Sequence, residues 1–229
     1  HNASTGVRQQ LLKFLQALPA AGVAGHIDQL LLWTRAGMTH LSSDIRSSSL
    51  DILDWLLHVA GNEVVSCAGG WIKTIKCFLG LLGWQPRTES DSHWTSSKMS
   101  LGKAKDAKAE AKLLTTFGTF LHAGLVPPPR ETQTNLSDMS NSFPLWHTEQ
   151  HMLSKRSNAF AHLNLFGSPR DEESEMYEDR EDRQRLFYER FQPSVTAGLE
   201  QVRKEGGEVG RAAAAVRRAI SEGMTGFGD

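Results

Sequence analysis

Two histidines in the second half of the chain have the spacing of metal ligands. The sequence "HTEQH" places His147 and His151 four positions apart, so one face of a helix could hold a metal ion between them. A zinc-protease helix also needs a glutamate directly after the first histidine, and Thr148 stands there instead. The alternative is that His147, three residues after Pro144, caps the start of a helix. We therefore predict no metal site and no cofactor.

The stretch from Lys98 to Lys112 predicts a local positive patch. Its acidic residues are only Asp106 and Glu110, so it could contact phosphate groups or an acidic protein. It lacks arginines and interleaved aromatic residues, which argues against base-specific reading of nucleic acid. The alternative is a solvated helix face, and direct RNA contact stays open. The residues of the patch are Lys98, Lys103, Lys105, Lys108 and Lys112.

Motifs of the common catalytic classes are missing from the sequence. The glycine-rich stretches 204–210 and 223–229 lack the Lys-Ser/Thr pair of a phosphate-binding loop. Acidic pairs such as Asp51 with Asp54 have the spacing of a solvated helix face. Cys67 and Cys77 fit neither a disulfide framework nor a zinc pattern, which indicates reduced thiols. We predict that the protein is not an enzyme.

Charge and composition limit the kinds of partner that the whole molecule can attract. The 25 lysines and arginines almost balance the 26 aspartates and glutamates, so no overall field draws the chain to nucleic acid or a membrane. The chain is 229 residues long and 39% hydrophobic, which allows a substantial core. It has neither an apolar run of about 18–20 residues nor the pattern of a signal peptide. We predict a soluble protein without membrane contact.

The helix predicted over residues 42–59 has more apolar surface than one neighbour can cover. On a helical wheel its apolar residues span about 220°, whereas an ordinary amphipathic stripe is about half as wide. We therefore predict that this helix packs between neighbours on two sides. The apolar residues are Ile45, Leu50, Ile52, Leu53, Trp55, Leu56, Leu57 and Val59.

A repeated pattern predicts the fold. At an offset of 38 positions, Val7 matches Ile45, Leu15 matches Leu53, and other apolar residues match likewise. A fainter repeat has an offset of 45 positions. Such periods, with two helices in each unit, predict an all-α fold, a HEAT/armadillo-like α-solenoid of stacked helix pairs.

Three regions follow from the distribution of turns and prolines. Residues 1–125 are predicted to form HEAT/armadillo-like repeats, 126–147 a long loop, and 148–229 further helical repeats that continue the same solenoid. Because the sequence starts almost inside a helix, we expect it to be a piece of a longer protein. Predicted helices lie near 4–18, 26–41, 43–60, 69–83, 102–123 and 148–165, with later starts at Ser168-Pro169 and Pro193 and a last helix over 211–220.

Four passages resemble one eukaryotic family. They are "AGMTHLSSDIRSSSLDILDWLL" (36–57), "VVSCAGGWIKTIKCFLGLLGW" (64–84), "FGTFLHAGL" (117–125) and "NAFAHLNLFG" (158–167). Together they look like the pre-rRNA-processing subunit of the Rix complex, the testis-expressed protein ten family, in its fungal form. The resemblance covers roughly residues 1–167.

The resemblance implies a helical-repeat scaffold without catalytic activity in the nucleus, both nucleolus and nucleoplasm. It implies work on the pre-60S particle with the central Rix scaffold protein and a WD-repeat subunit, in removal of the second internal transcribed spacer (ITS2) and recruitment of the midasin AAA ATPase. The alternative is a HEAT-type nuclear transport or trafficking adaptor. Within the resembling segments, the predicted partner contacts are Trp71, Lys73, Lys76, Leu165, Phe166 and Arg170, with burial between repeats as the alternative for Trp71, Leu165 and Phe166.

Overall fold

A computed structural model describes residues 4–84, 107–127, 171–204, 206–225 and 227. These residues are helical with connecting turns and contain no strand, so the prediction of an all-α chain is confirmed for them. Residues 1–126 and 172–229 form one compact unit, and residues 127–171 form a second unit of which only the two end residues are described. The helices are α1 (Thr5–Gln16), α2 (Ala20–Ala24), α3 (Ile27–Met38), α4 (Ser43–Ser66), α5 (Trp71–Leu82), α6 (Ala107–Leu125), α7 (Arg180–Leu186), α8 (Gln192–Arg203) and α9 (Gly207–Gly223).

Helix α4 packs on two sides, as the width of its apolar surface predicts. It contacts α3 and α6 most extensively and also touches α1, α2 and α5. The helix runs past the predicted end at residue 60 to Ser66, with a kink where Ala60 leaves helical geometry (φ −149°, ψ 48°). Both halves contribute to the core, because buried residues occur before and after the kink. They are Leu50, Leu53, Leu56, Leu57, Ala60, Val64 and Val65.

Helix α6 is the centre of the described unit. Its most extensive contact is with α9, and it also packs against α4, α5 and α7. Phe117 lies 4.9 Å from Phe78 of α5, measured between ring centroids, and Phe120 lies 5.2 Å from Trp71. Such offset and tilted aromatic pairs stabilise a core beyond the area that they bury. The helix therefore joins the N-terminal helices to the C-terminal ones.

The sequence match at offset 38 is not accompanied by equal burial. Leu53 is fully buried, whereas its match Leu15 is only partly buried, and no residue of α1 is buried. Helix α1 contacts α4 along one side, where Arg8 Nε donates a hydrogen bond of 3.0 Å to Ser48 Oγ. The environments of α1 and α4 therefore differ, because α4 is covered on two sides and α1 on one.

The helix predicted to start at Ser168-Pro169 would have Asp171, Glu172 and Glu173 in its first turn, and this prediction is wrong for the described residues from 171 onwards. Glu172–Ser174 form a single 3-10 turn, residues 175–178 have no regular structure, and α7 begins at Arg180. The reason is tertiary, because the backbone of this segment bonds to other parts of the molecule. Gly69 N–H donates to Glu175 O at 3.0 Å, and Arg183 Nη1 donates to Tyr177 O at 2.6 Å.

The C-terminal helices follow their predicted apolar positions. A π-helical turn, Phe187–Phe191, connects α7 to α8, and Pro193 stands in the first turn of α8 as predicted. Helix α8 buries Val195, Leu199 and Val202, the residues of its single apolar stripe. Helix α9 extends the predicted range 211–220 by one turn at each end.

Candidate protein-docking surfaces

Trp71 takes the buried alternative of its two predicted environments. The residue begins α5, has no exposed surface, and stacks on Phe120 with an interplanar angle of 21°. Its indole Nε1 donates a hydrogen bond of 3.2 Å to Arg183 O on α7. Trp71 thus fixes α5 against α6 and α7 from inside the core, and a partner could not reach its ring without opening that core.

Lys73 and Lys76 lie on the outer side of α5, where they contact an acidic segment of the same chain. We call this segment, residues 172–179, the acidic strap. Lys73 Nζ donates to Ser174 Oγ, and Lys76 Nζ forms an ion pair with Glu173. The two lysines predicted to bind a partner are therefore engaged by the chain itself.

Hydrogen bonds to its backbone hold the strap in its middle and near its C-terminal end. Gly69 has a positive φ of 67°, a conformation that suits glycine, and its N–H donates to Glu175 O at 3.0 Å. Near the C-terminal end of the strap, Arg183 donates to Tyr177 O and Glu178 O. An ion pair between Glu172 and Arg190 adds a third attachment and raises the pKa of that guanidinium.

We expect the double variant Lys73→Ala/Lys76→Ala to loosen the strap without unfolding the protein. Exposed or half-exposed ion pairs contribute only about 0–1 kcal/mol each, so the melting temperature should fall by little. Cleavage by a glutamate-specific protease within the strap should rise several-fold, because its side-chain anchors are lost. The matched control is Arg185→Ala, which removes an exposed ion pair with Asp182 on α7. Equal cleavage of the double variant and this control would show that the lysines do not hold the strap.

Two lysines of the predicted positive patch lie on the first turns of α6. Lys112 Nζ forms an ion pair of 2.7 Å with Asp51 and donates to Ser47 O at 2.8 Å and Ser47 Oγ at 3.0 Å. Lys108 has an exposed side chain. The structure thus offsets part of the charge of the patch with a carboxylate from α4. The other predicted residues lie outside the described ranges: Lys98, Lys103, Lys105, His147, His151, Leu165, Phe166 and Arg170.

A pocket beside Lys112 was not foreseen from the sequence. It lies where the C-terminal ends of α3 and α5 meet the N-terminal ends of α4 and α6, with Met38, Leu50, Leu81 and Leu113 among its lining residues. Arg46 lies at the same pocket. The residues are up to 75 positions apart, between 38 and 113, so no local sequence pattern could have grouped them.

Exposed apolar residues form a second unforeseen feature. Val7, Leu11 and Phe14 are spaced by four and three positions, which places them on one side of α1, and the exposed Leu18 follows the end of the helix. Phe14 is 63% exposed, and Trp33 on α3 is 75% exposed. Isolated apolar residues on a surface are ordinary, whereas an aligned set is less so. The apolar residues of α1 were predicted to pack between repeats, but this stripe faces solvent.

Cys67 lies at the turn between α4 and α5 and Cys77 lies in the middle of α5, and both are near Arg35. Arg35 Nη1 donates a hydrogen bond of 2.6 Å to Gly69 O, and burial lowers the pKa of this guanidinium. Burial also raises the pKa of the Cys77 thiol to about 11, an effect that the positive charge of Arg35 opposes. Cys67 is buried and its Sγ lies 3.4 Å from Val64 O. Neither cysteine is disulfide-bonded, as predicted.

The raised pKa of Cys77 predicts a loss of stability at alkaline pH. An unfolded thiol ionises near pH 9.0, whereas the folded one ionises near pH 11. As pH rises, the unfolded state therefore loses the thiol proton first. The contribution of Cys77 to the free energy of unfolding is unchanged below pH 9 and falls by about 2 kcal/mol as pH rises towards 11. Urea unfolding of the wild type and Cys77→Ala at pH 8 and pH 11 measures this difference. The same pH dependence in both proteins would refute the assignment.

The described ranges also bear on metal and membrane binding. They contain no group of three or more His, Cys, Asp or Glu side chains arranged to hold a metal ion. No single helix in these ranges is both long and apolar enough to cross a membrane. Helices α4 and α5 meet that criterion only when taken together, and they are bent by 118° at the break between them.

Comparison with known proteins shows close relatives in fungi. A family model described as "Rix1 complex component involved in 60S ribosome maturation" matches residues 21–121. The chain is 47% identical over 231 residues to a pre-rRNA-processing protein ipi1 of Sclerotinia sclerotiorum, covering 99% of this chain and 66% of the relative. Proteins of the same name from Aspergillus fumigatus and Aspergillus clavatus are 51% and 49% identical, each over 97% of this chain and over 66% and 67% of the relative. The chain thus spans about two thirds of the length of these relatives.

Proposed function

Because the chain belongs to the family of Rix1 complex components involved in 60S ribosome maturation, we propose that it is a non-catalytic scaffold subunit of that complex. In this role it binds the central Rix scaffold protein and the WD-repeat subunit, and it acts on the pre-60S particle in the nucleolus and nucleoplasm. Through the complex it supports ITS2 processing and recruitment of the midasin ATPase. The observation that carries the proposal is 47–51% identity, over 97–99% of the chain, to proteins named for pre-rRNA processing.

The helical architecture supports a docking role. Helix α6 packs against helices that precede it and helices that follow it in the sequence, and so joins them in one unit. Apolar residues of α1 and α3 remain at the surface of this unit. We propose that the helices stack as a HEAT/armadillo-like solenoid, with the region 148–229 continuing the stack of 1–125 beyond the loop 126–147. Direct packing of α7 and α9 on α6 supports this continuity.

The predicted contact residues differ in how a partner could reach them. Contact at Lys73 and Lys76 requires displacement of the acidic strap, because Ser174 and Glu173 occupy both ammonium groups. Trp71 is buried below these lysines, so it can hold α5 in place but cannot contact a partner itself. Leu165, Phe166 and Arg170 remain proposed contacts in the second unit. The lysine patch that includes Lys108 and Lys112 remains the proposed site for RNA backbone or an acidic partner.

Affinity purification of the tagged full-length protein from a fungal nucleus tests the scaffold role. We expect the central Rix scaffold protein and the WD-repeat subunit at a fixed ratio to the tagged protein, together with large-subunit assembly factors. Depletion of the protein should cause precursors that retain ITS2 to accumulate. Recovery of import cargoes in place of assembly factors would refute the proposal and favour a transport adaptor.

A further inference from the structure

The pocket between the ends of α3, α4, α5 and α6 has an apolar floor and a positive rim. Met38, Leu50, Leu81 and Leu113 supply apolar surface, and Arg46 and Lys112 are the charged residues among the described ones that line the pocket. Among the described residues that line it, none carries a carboxylate. An anionic group next to an apolar side chain would therefore match both the shape and the charge of this pocket.

Arg46 is held in place for an interaction at the rim. Its Nη1 donates hydrogen bonds of 2.8 Å to His40 O and 2.8 Å to Leu41 O, both in the loop that connects α3 to α4. In the part of the chain that the structure describes, Nε and Nη2 of Arg46 make no hydrogen bond, and no carboxylate pairs with the guanidinium. A cation that is fixed by its own backbone loses little conformational entropy when it binds an anion.

Lys112 differs from Arg46, because its charge is already offset. Its ammonium group contacts Asp51 and both oxygens of Ser47, which uses three donors. Lys112 therefore serves as a fixed wall of the pocket, and Arg46 is the group that can pair with an incoming carboxylate. A single available arginine suits one acidic side chain better than a run of phosphates.

We propose that this pocket binds a short acidic and aliphatic segment of a protein partner. One aliphatic side chain of the segment enters the pocket and packs against its apolar floor. An Asp or Glu carboxylate within a few residues of that side chain pairs with Arg46. The cavity volume of about 60 Å³ is smaller than the roughly 150 Å³ of a cavity that accepts benzene, so it fits an aliphatic side chain better than an aromatic one. RNA fits less well, since it needs aromatic platforms or several cations and finds an apolar floor here.

The assignment rests on the proposed docking function and gives it a specific site. The described residues that line the pocket lie between 38 and 113, inside the range 21–121 that matches the family model. The described lining of the pocket therefore comes from the part of the chain that matches the family model. Its occupant would be a linear motif of a partner, which can bind in an extended form without a large flat interface.

A displayed library of random short peptides, selected on the full-length protein, provides the first test. We expect enriched peptides to combine Leu, Ile or Val with Asp or Glu nearby. Replacing the acidic residue of an enriched peptide by its amide should weaken binding roughly tenfold, about 1.4 kcal/mol. No enrichment, or enrichment of basic or purely aromatic peptides, would overturn the proposal.

Two variants of the protein localise the binding. Ala109→Leu on the first turn of α6 fills the pocket and should weaken peptide binding at least tenfold, whereas Ala215→Leu on the exposed side of α9 should not. With Arg46→Gln, the acidic peptide and its amide form should bind equally, while Arg218→Gln on α9 should keep the tenfold difference. Because the peptide change cannot affect folding, this comparison remains decisive if a filled pocket destabilises the protein. Unchanged discrimination in Arg46→Gln would overturn the site.

Co-purification separates this inference from the broader proposal. If the wild-type protein recovers the Rix complex but selects no acidic and aliphatic peptides, the pocket assignment fails and the scaffold role stands. If it selects such peptides through Arg46 but never recovers the Rix complex, the pocket assignment stands and the scaffold role fails.

Discussion

Replacing Arg183 by methionine is expected to lower the free energy of unfolding by about 3–5 kcal/mol. The guanidinium is buried and donates to three backbone carbonyls, at 2.9 Å to Gly124 O, 2.6 Å to Tyr177 O and 2.7 Å to Glu178 O. Burial lowers the pKa of Arg183, which reflects the cost of desolvating its charge. Replacing the side chain by methionine removes this desolvation cost. The orphaned carbonyls outweigh that gain, because methionine fills the space but donates no hydrogen bond.

Urea denaturation of Arg183→Met beside Arg185→Met measures this effect. Arg185 is on the same helix two residues later, but it is exposed and pairs with Asp182 at 2.6 Å. Its replacement should change the free energy of unfolding by less than about 1 kcal/mol. If the two variants were equally stable, the buried hydrogen bonds of Arg183 would not be a major source of stability.

Gly124→Ala should lower the free energy of unfolding by about 2–3 kcal/mol, although alanine has a higher helix propensity than glycine. A Cβ on Gly124 would lie 2.2 Å from Cζ3 and 2.6 Å from Cη2 of Trp71, far inside ordinary contact of about 3.5–4.0 Å. Trp71 cannot move away easily because it is fully buried and stacked on Phe120. The strain of overpacking therefore exceeds the helix-propensity gain of about 0.5–1 kcal/mol.

The same glycine-to-alanine change at position 210 should have the opposite effect on stability. Gly210 lies inside α9, and a Cβ there would meet no atom within 4 Å. Alanine should therefore stabilise the protein by about 0.5–1 kcal/mol. In a Trp71→Phe background, Gly124→Ala should cost less than in the wild type, because the indole atoms that it meets are gone. A similar cost in both backgrounds would place the strain elsewhere.

Much of the helical architecture could be predicted because it depends on local patterns. The wide apolar arc of residues 42–59 correctly indicated a helix covered on two sides, and Pro193 with its following apolar residues correctly marked α8. These features depend on periodicity and on the fixed φ of proline, which act within a few residues. The end of α4 was missed because the kink at Ala60 lets helical hydrogen bonding resume beyond it.

The strap and the pocket could not be predicted, because their partners are distant in sequence. The acidic residues after 170 have the pattern of a helix start, but hydrogen bonds from Gly69 and Arg183 hold that backbone in an irregular form. Similarly, Lys73 and Lys76 had the pattern of an exposed contact face, and their true neighbours are about 100 residues away. Sequence periodicity gives the face on which a residue lies, but it does not say which other segment covers that face.

The pairing of α6 with α9 has a consequence for synthesis of the protein. Helix α6 ends at Leu125, while α9, which covers it most extensively, is finished only at Gly223. At about 5–20 residues per second, a translating ribosome needs roughly 5–20 s to make the intervening stretch. During that interval the apolar side of α6 lacks its main neighbour. The nascent chain is therefore expected to depend on chaperones at this stage, and early termination before α9 should yield an insoluble product.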